Sequence, residues 1–241
     1  MKKTNNPSEK IIIALDGMDK SDVLNFIENI PDLIWVKVGL ELFVSEGPDL
    51  LNTLKDKGKK VFLDLKFHDI PTTVSRACFA ASQTGAEFIS LHTCAGLKAL
   101  KMASEAVQEG AAKANLIPPK LLGITILTSW TQESFVADLL IDQSINQRVK
   151  HLAEIASKAG LGGCVCSPRE VKFLREIYPE TFELVTPGIR PLGLDFNDQS
   201  RVSDASEALK MGASKLVIGR AITQSNDPKY MFKSFCDKIV L

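Results

Sequence analysis

A chain of 241 residues, 45% of them hydrophobic, can bury the core of one large α/β domain. Its 29 basic and 29 acidic side chains cancel, which excludes a long-range field recruiting nucleic acid or an anionic membrane surface; any anion must be held by local groups. Five cysteines, odd in number and without a spaced framework, fit a reduced cytoplasmic protein better than a disulfide-stapled secreted one.

Residues 1–10, MKKTNNPSEK, read as a polar tail without an apolar signal core, and no later stretch has the length of a membrane span. Residues 11–241 are expected to form one domain. Its first apolar run, IIIALD (11–16), ends in Asp16-Gly17. The second, LIWVKVG (33–39), carries Lys37 late, with Trp35 read as a packing residue. The third, KVFLDLK (60–66), opens the richest segment of the chain, VFLDLKFHDIPTT. Strand side chains alternate faces, so Asp64 and Lys66 should emerge on one side, with Asp69 just beyond in the following loop. Two acids then flank one amine, either as a solvated loop decoration or as a preorganised electrostatic site. His68, within the same segment, is expected to make a structural hydrogen bond.

The fourth run, EFISLHT (87–93), ends near His92, where a core or supporting role is expected. Residues 110–119, GAAKANLIPP, read as a small-residue, proline-containing connection with no functional account. The fifth run, LLGITILT (121–128), ends at Thr128. Ile145, Val149, Leu152, Ala156 and Ala159 then follow the four, three, four, three spacing of a helix stripe. In GGCVCS (162–167), Cys164 and Cys166 alternate as small core residues, with no His or Cys cluster nearby to make a metal site. The seventh run, FELVTPG (182–188), leads into IRPLGLDFNDQS (189–200), long for a strand-to-helix loop; with Gly193 as a flexible point, it is expected to act as a lid. The eighth, KLVIGRA (215–221), brings Gly219-Arg220.

Most of these runs are apolar at successive positions, the pattern of parallel strands covered on both faces. Gly58, Gly85, Gly160 and Gly212 each fall shortly before a run, where a helix C-terminus favours a residue tolerant of positive φ. Eight strand–helix units in this length predict a single-domain (β/α)8 TIM barrel in preference to a doubly wound sheet, and Asp16-Gly17-Met18-Asp19 is not the glycine-rich turn of the latter. A barrel places its chemistry at the C-terminal ends of its strands, where Asp16, Lys37, Asp64, Lys66, Thr128 and Arg220 all fall. That shared polarity favours a functional site over five unrelated solvated strand ends.

The segment DLKFHDIPTT resembles the signature of the orotidine 5'-phosphate decarboxylases, barrel enzymes of pyrimidine synthesis. The likeness extends in order through Asp16-Gly17, Lys37 in WVKVG, Leu127-Thr128-Ser129, Pro187-Gly188-Ile189-Arg190-Pro191, Gln199 and Ile218-Gly219-Arg220, covering residues 11 to 225. The resemblance implies that Lys66 protonates C6 of the pyrimidine after carbon dioxide leaves. Asp64 would lie beside the departing carboxylate, and Lys37 and Asp69 would complete an alternating set of charges. It also implies a cytoplasmic homodimer in which Asp69, with Thr73, enters the neighbouring subunit's site, Ile70 also being a substrate contact. Asp16 would meet ribose hydroxyls, Thr128 the pyrimidine edge, Arg190 and Gln199 the substrate within the long loop, and Gly219 with Arg220 the phosphate. No cofactor and no metal are expected, and the partner is a small nucleotide, orotidine 5'-phosphate, not nucleic acid or membrane.

Two rival readings stand beside this one. Relatives on the same barrel, the keto-gulonate phosphate decarboxylases and hexulose phosphate synthases, share D-x-K-x-x-D but resemble this chain less at the second strand, where they place a metal-binding glutamate. Lys37 stands there instead, and a protonated lysine cannot ligate magnesium. The other rival is a non-catalytic phosphate-binding barrel, which would have no need of a proton donor in the base site.

Overall fold

The eight apolar runs form eight strands because each can be buried on both faces. In the computed structural model, which describes residues 6–189 and 205–239, they close into one parallel barrel in chain order. The strands are β1 (Ile11–Ala14), β2 (Trp35–Gly39), β3 (Lys60–Phe67), β4 (Phe88–His92), β5 (Lys120–Ile124), β6 (Gly163–Val165), β7 (Glu183–Thr186) and β8 (Lys215–Ile218). Around them run α1 (Lys20–Asn29), α2 (Leu40–Glu46), α3 (Asp49–Asp56), α4 (Pro71–Ser82), α5 (Leu97–Lys113), α6 (Gln132–Leu139) and α7 (Ile145–Lys158). The circuit is completed by α8 (Pro168–Ile177), α9 (Ala205–Lys210), α10 (Arg220–Thr223) and α11 (Pro228–Lys238). The (β/α)8 barrel expected from the sequence is therefore the observed fold.

Alternate residues of each strand face opposite ways, which explains why the runs are apolar throughout. One set, including Ile13, Val36, Leu63, Ile89, Leu121, Leu184 and Ile218, packs outward under the helices. The other, Ile12, Ala14, Trp35, Phe62, Phe88, Leu122, Val185 and Val217, fills the barrel. Trp35 and Phe62 are thus packing residues, Trp35 lying 4.7 Å from Phe88 between ring centres. The stripe expected over 145–159 is α7, with Ile145, Val149, Leu152 and Ala156 buried. The four glycines expected to end helices all have positive φ, from +72° at Gly58 to +107° at Gly212.

The polar N-terminal segment does more than trail. Pro7–Lys10 forms a 3-10 helix beneath the barrel, where Glu9 accepts hydrogen bonds from Trp35 Nε1 at 2.7 Å and from Lys60 Nζ at 2.8 Å. Lys215 Nζ donates to the Glu9 carbonyl and lies 4.3 Å from the centre of the Trp35 ring. Burial pushes the Lys215 ammonium down to about 8, against the attraction of Glu9 and Glu183. Among the described residues, charged groups thus gather at both ends of the barrel, with an apolar layer of Ile12, Trp35, Phe62 and Phe88 inside it.

Two boundaries differ from expectation. The ladder of the fifth strand ends at Ile124, four residues before Thr128, and the residues after it, half-buried Ile126 and exposed Leu127 among them, line the barrel mouth outside any strand. Residues 110–113 of the small-residue segment belong to α5, and Gly110 sits where a side chain would collide with the Phe79 carbonyl of α4. Its small residues serve close helix packing.

Candidate active site

At the C-terminal ends of the strands a cavity of about 560 Å³ opens. It is lined among others by Asp16, Lys37, Asp64, Lys66, Thr128 and Arg220, so six of the residues marked by the sequence share one space. Gly188 and Gly219 line it too, from the side of β7 and β8, which the strand order places across the barrel from β3 and β4.

Four charges form a chain from its rim to its floor. Asp16 Oδ1 lies 3.0 Å from Lys37 Nζ, Lys37 Nζ lies 3.6 Å from Asp64 Oδ2, and Asp64 Oδ2 lies 2.7 Å from Lys66 Nζ. Lys37 and Asp64 are buried, Lys66 is partly open and Asp16 half exposed at the rim. Burial alone would raise the Asp64 carboxyl. The positive charges of Lys66 and Lys37, with hydrogen bonds from Lys66 and Ser90, more than offset it and hold the group below its usual range. Asp64 is thus a carboxylate at neutral pH, which fixes two ammonium groups at the base of the cavity.

The third strand achieves this by breaking its own regularity. Leu63 pairs with Ile89, and Phe67 with Leu91, so three residues of β3 (64–66) face one residue of β4, Ser90. Within that bulge Lys66 takes φ +50°, a left-handed backbone that a side-chain-bearing residue adopts only under constraint. Strict alternation would have placed Asp64 and Lys66 on one face; the bulge also brings their end groups together.

The other expected residues lie elsewhere. Asp69, Ile70 and Thr73 are exposed and outside the cavity of their own chain, and Asp69 Oδ1 accepts the backbone N–H of Ile70 at 2.6 Å. Arg190, Gln199 and Gly193, with all of the proposed lid except Ile189, lie outside the described residues. His68 Nε2 is 3.8 Å from Cys94 Sγ, and its ring centre 5.4 Å from that of His92. Burial, with smaller contributions from His68 and Lys66, pushes His92 down to about 4, so its ring is neutral. Cys164 and Cys166 are buried, and Cys166 reaches the cavity wall.

Sequence reasoning missed several contributors. Ser90, fully buried, donates to Asp64 Oδ1 at 2.7 Å and accepts the Lys66 N–H at 3.0 Å. Its signal was a polar residue inside FISLH. Gly39, at the end of β2, makes room for the charges: a Cβ there would overlap Asp16 Oδ1 and come within 2.8 Å of Lys37 Nζ. Thr223 and Gln224 also line the cavity, beside Ser129 of the Leu127-Thr128-Ser129 motif, to which no role was given.

Residues 9–235 match the model of the orotidine 5'-phosphate decarboxylase / HUMPS family. The chain belongs to this family. It is 83% identical over 239 residues to an orotidine 5'-phosphate decarboxylase of Prochlorococcus marinus (strain NATL2A), covering 99% of both chains. It is 51% identical over 234 residues to the protein of that name from Parasynechococcus marenigrum (strain WH8102), covering 97% of this chain and 95% of that one. Among solved structures, the orotidine 5'-phosphate decarboxylase of Lactobacillus acidophilus superposes with a TM-score of 0.85 at 33% identity, over 97% of this chain and 100% of the other. This decarboxylase-family barrel thus matches its relatives over nearly its whole length, not at the third-strand signature alone.

Proposed function

We propose that this chain decarboxylates orotidine 5'-phosphate to UMP and carbon dioxide in pyrimidine biosynthesis, without a cofactor. The observation that carries the reading is the Asp16–Lys37–Asp64–Lys66 chain at the base of a cavity large enough for a nucleotide, in a member of this family.

Breaking the C6–carboxyl bond leaves an electron pair on a ring carbon with no adjacent sink. The site must stabilise that anion and then supply a proton, and Lys66 does both: its ammonium faces the developing charge and donates its proton to C6 as carbon dioxide departs. Preorganised charge of this kind is commonly the largest catalytic contribution, one donor being worth about 3 to 4 kcal/mol. One lysine therefore leaves most of the barrier to other sources. Binding of the unreacting phosphate by Gly219 and Arg220, with Arg190, supplies part of the remainder through interactions far from C6. Asp16 takes the ribose hydroxyls, Thr128 the pyrimidine edge, and Gln199 the substrate from the long loop.

Asp64 would meet the substrate carboxylate as one anion meeting another, a repulsion of roughly 4 kcal/mol at 4 Å in an effective dielectric near 20. Its ties to both lysines support a positioning role as the main one.

The enzyme is proposed to act as a cytoplasmic homodimer. Asp69, Ile70 and Thr73 are exposed and do not line their own cavity, and apolar Leu40, Val44 and Ile70 are 54%, 81% and 67% exposed near the C-terminal ends of β2 and β3. A second copy seated there would cover them and receive Asp69, with Ile70 and Thr73, in its own site.

Ultraviolet absorbance of orotidine 5'-phosphate mixed with purified protein tests the reading, and the expected result is loss of the substrate spectrum at a rate unchanged by EDTA. An unchanged spectrum together with tight UMP binding would instead identify a binding-only barrel.

A further inference from the structure

We propose that Ser90 is a positioning residue for Lys66, its single hydroxyl locking the Asp64 carboxylate and the Lys66 backbone into the one arrangement that aims the ammonium at the base site. The inference rests on the reading of Lys66 as proton donor and adds to it a residue on a different strand.

Ser90 is the only residue of β4 opposite the bulged segment 64–66, so whatever holds the bulge from that side must act through it. The chemistry of its partners fixes the direction of both hydrogen bonds. A carboxylate can only accept and a backbone N–H can only donate. The hydroxyl proton is therefore committed to Asp64 Oδ1, at 2.7 Å, and an oxygen lone pair to Lys66 N, at 3.0 Å. That second bond replaces the ladder carbonyl that Lys66 N forgoes in the bulge.

The two bonds act on different parts of the catalytic geometry. With Oδ1 held by Ser90, the carboxylate cannot rotate, and Oδ2 stays where it meets Lys66 Nζ at 2.7 Å and Lys37 Nζ at 3.6 Å. With its N–H held, Lys66 keeps the unfavourable φ of +50° that directs its side chain into the cavity. Ser90 itself is fully buried and absent from the cavity lining, so it touches no substrate and acts only through its two partners.

Removing the hydroxyl leaves a buried carboxylate oxygen and a buried N–H without their partner, and lets the bulge relax. Misplacement by about 1 Å of a reacting group can cost on the order of 100-fold in rate. Phosphate and ribose groups, bound by other strands, are not disturbed.

The test compares wild type, Ser90→Ala and Ser90→Thr with orotidine 5'-phosphate, alongside UMP binding by titration calorimetry. Ser90→Ala is expected to lower kcat by roughly 10- to 100-fold while UMP affinity changes less than about threefold. Ser90→Thr, which keeps the hydroxyl, should restore most of the loss. The pH profile supplies a readout that a purely structural role would not move. Asp64 faces Lys66 on its own strand, Lys37 from β2 with Asp16 behind it, and the neutral His92 from β4. Taking away the Ser90 donor removes one of the influences that depress its carboxyl, so the acid limb of kcat should move to higher pH in Ser90→Ala.

Should Ser90→Ala fail to fold, Ser90→Cys, nearly equal in volume but a weak donor and acceptor, is expected to show the same loss and the same shift of the acid limb. The inference falls if folded Ser90→Ala or Ser90→Cys keeps kcat within twofold of wild type, or loses UMP binding in step with kcat. If wild type itself leaves the substrate spectrum unchanged, the reading of Lys66 fails and the inference falls with it. Activity in wild type with normal turnover in Ser90→Ala overturns the inference alone.

Discussion

Asp64 and Lys66 stand two positions apart on β3, yet their end groups meet at 2.7 Å with the carboxylate almost wholly buried. A buried ion that keeps its charge needs partners, and Asp64 has three: Lys66, Lys37 and Ser90. Asp64→Asn keeps the shape but removes the charge that holds two cations in place. The expected outcome is a fall in kcat of roughly 100- to 1,000-fold with UMP still bound, measured by steady-state kinetics and calorimetry. Full turnover in this variant would refute the positioning role of Asp64.

Gly39 tests the rim end of the same charge chain. An added methyl would overlap Asp16 Oδ1 and crowd Lys37 Nζ, both at the ends of flexible side chains that can swing aside. The backbone at Gly39 has φ −90°, open to any residue, so the fold should survive. Gly39→Ala is therefore expected to melt within a few degrees of wild type, while kcat/KM drops at least about tenfold because the Asp16–Lys37 pair is parted. An unchanged kcat/KM would mean that this pair is dispensable.

The barrel was readable because doubly covered strands leave near-continuous apolar runs, and because strand-end charges shared one polarity. Asp16, Lys37, Asp64, Lys66, Thr128 and Arg220 stood out as polar interruptions in those runs, and all line the cavity. Ser90 interrupts a run too, but its importance depends on a bulge in the neighbouring strand that no local pattern announces. Gly39 was invisible for a similar reason, since the space it leaves is used by Asp16 from another strand. Glu9 lay in a segment whose polarity suggested solvent, whereas three groups at the barrel base gather on it. Asp69 shows another limit: spacing placed it beside Lys66, but the chain turns it outward, and spacing says nothing of which subunit it serves.

His92 sets an acid limit on stability. Burial, reinforced by His68 and Lys66, pushes its imidazole to about 4, whereas in the unfolded chain it titrates near 6.5. Between these values the unfolded state holds the extra proton, so stability is lost as pH falls from about 6.5 toward 4. Asp64 and Glu9, whose carboxyls lie below their usual values, add their losses lower, through and below the normal carboxylate range. Glu87, raised by burial, acts in the opposite sense just above that range. The window from 6.5 to 5.5 therefore belongs mainly to His92. Melting temperature measured across it should decline in wild type and stay flatter in His92→Asn; equal slopes would show that His92 is not the responsible group.

The shared site can be tested by mixing two inactive proteins. If each site combines Lys66 of one chain with Asp69 of its partner, then Lys66→Ala and Asp69→Ala homodimers each carry two defective sites. A mixed dimer concentrates both substitutions in one site and leaves the other intact. Random reassortment makes half the dimers mixed, each with one of two sites whole, so about a quarter of wild-type activity should return. The recovered activity should rise only as fast as subunits exchange, and crosslinking the homodimers before mixing should abolish it. If Asp69 instead served its own chain, the mixed dimer would hold two defective sites and nothing would return. The exposed position of Asp69, outside its own cavity, favours recovery.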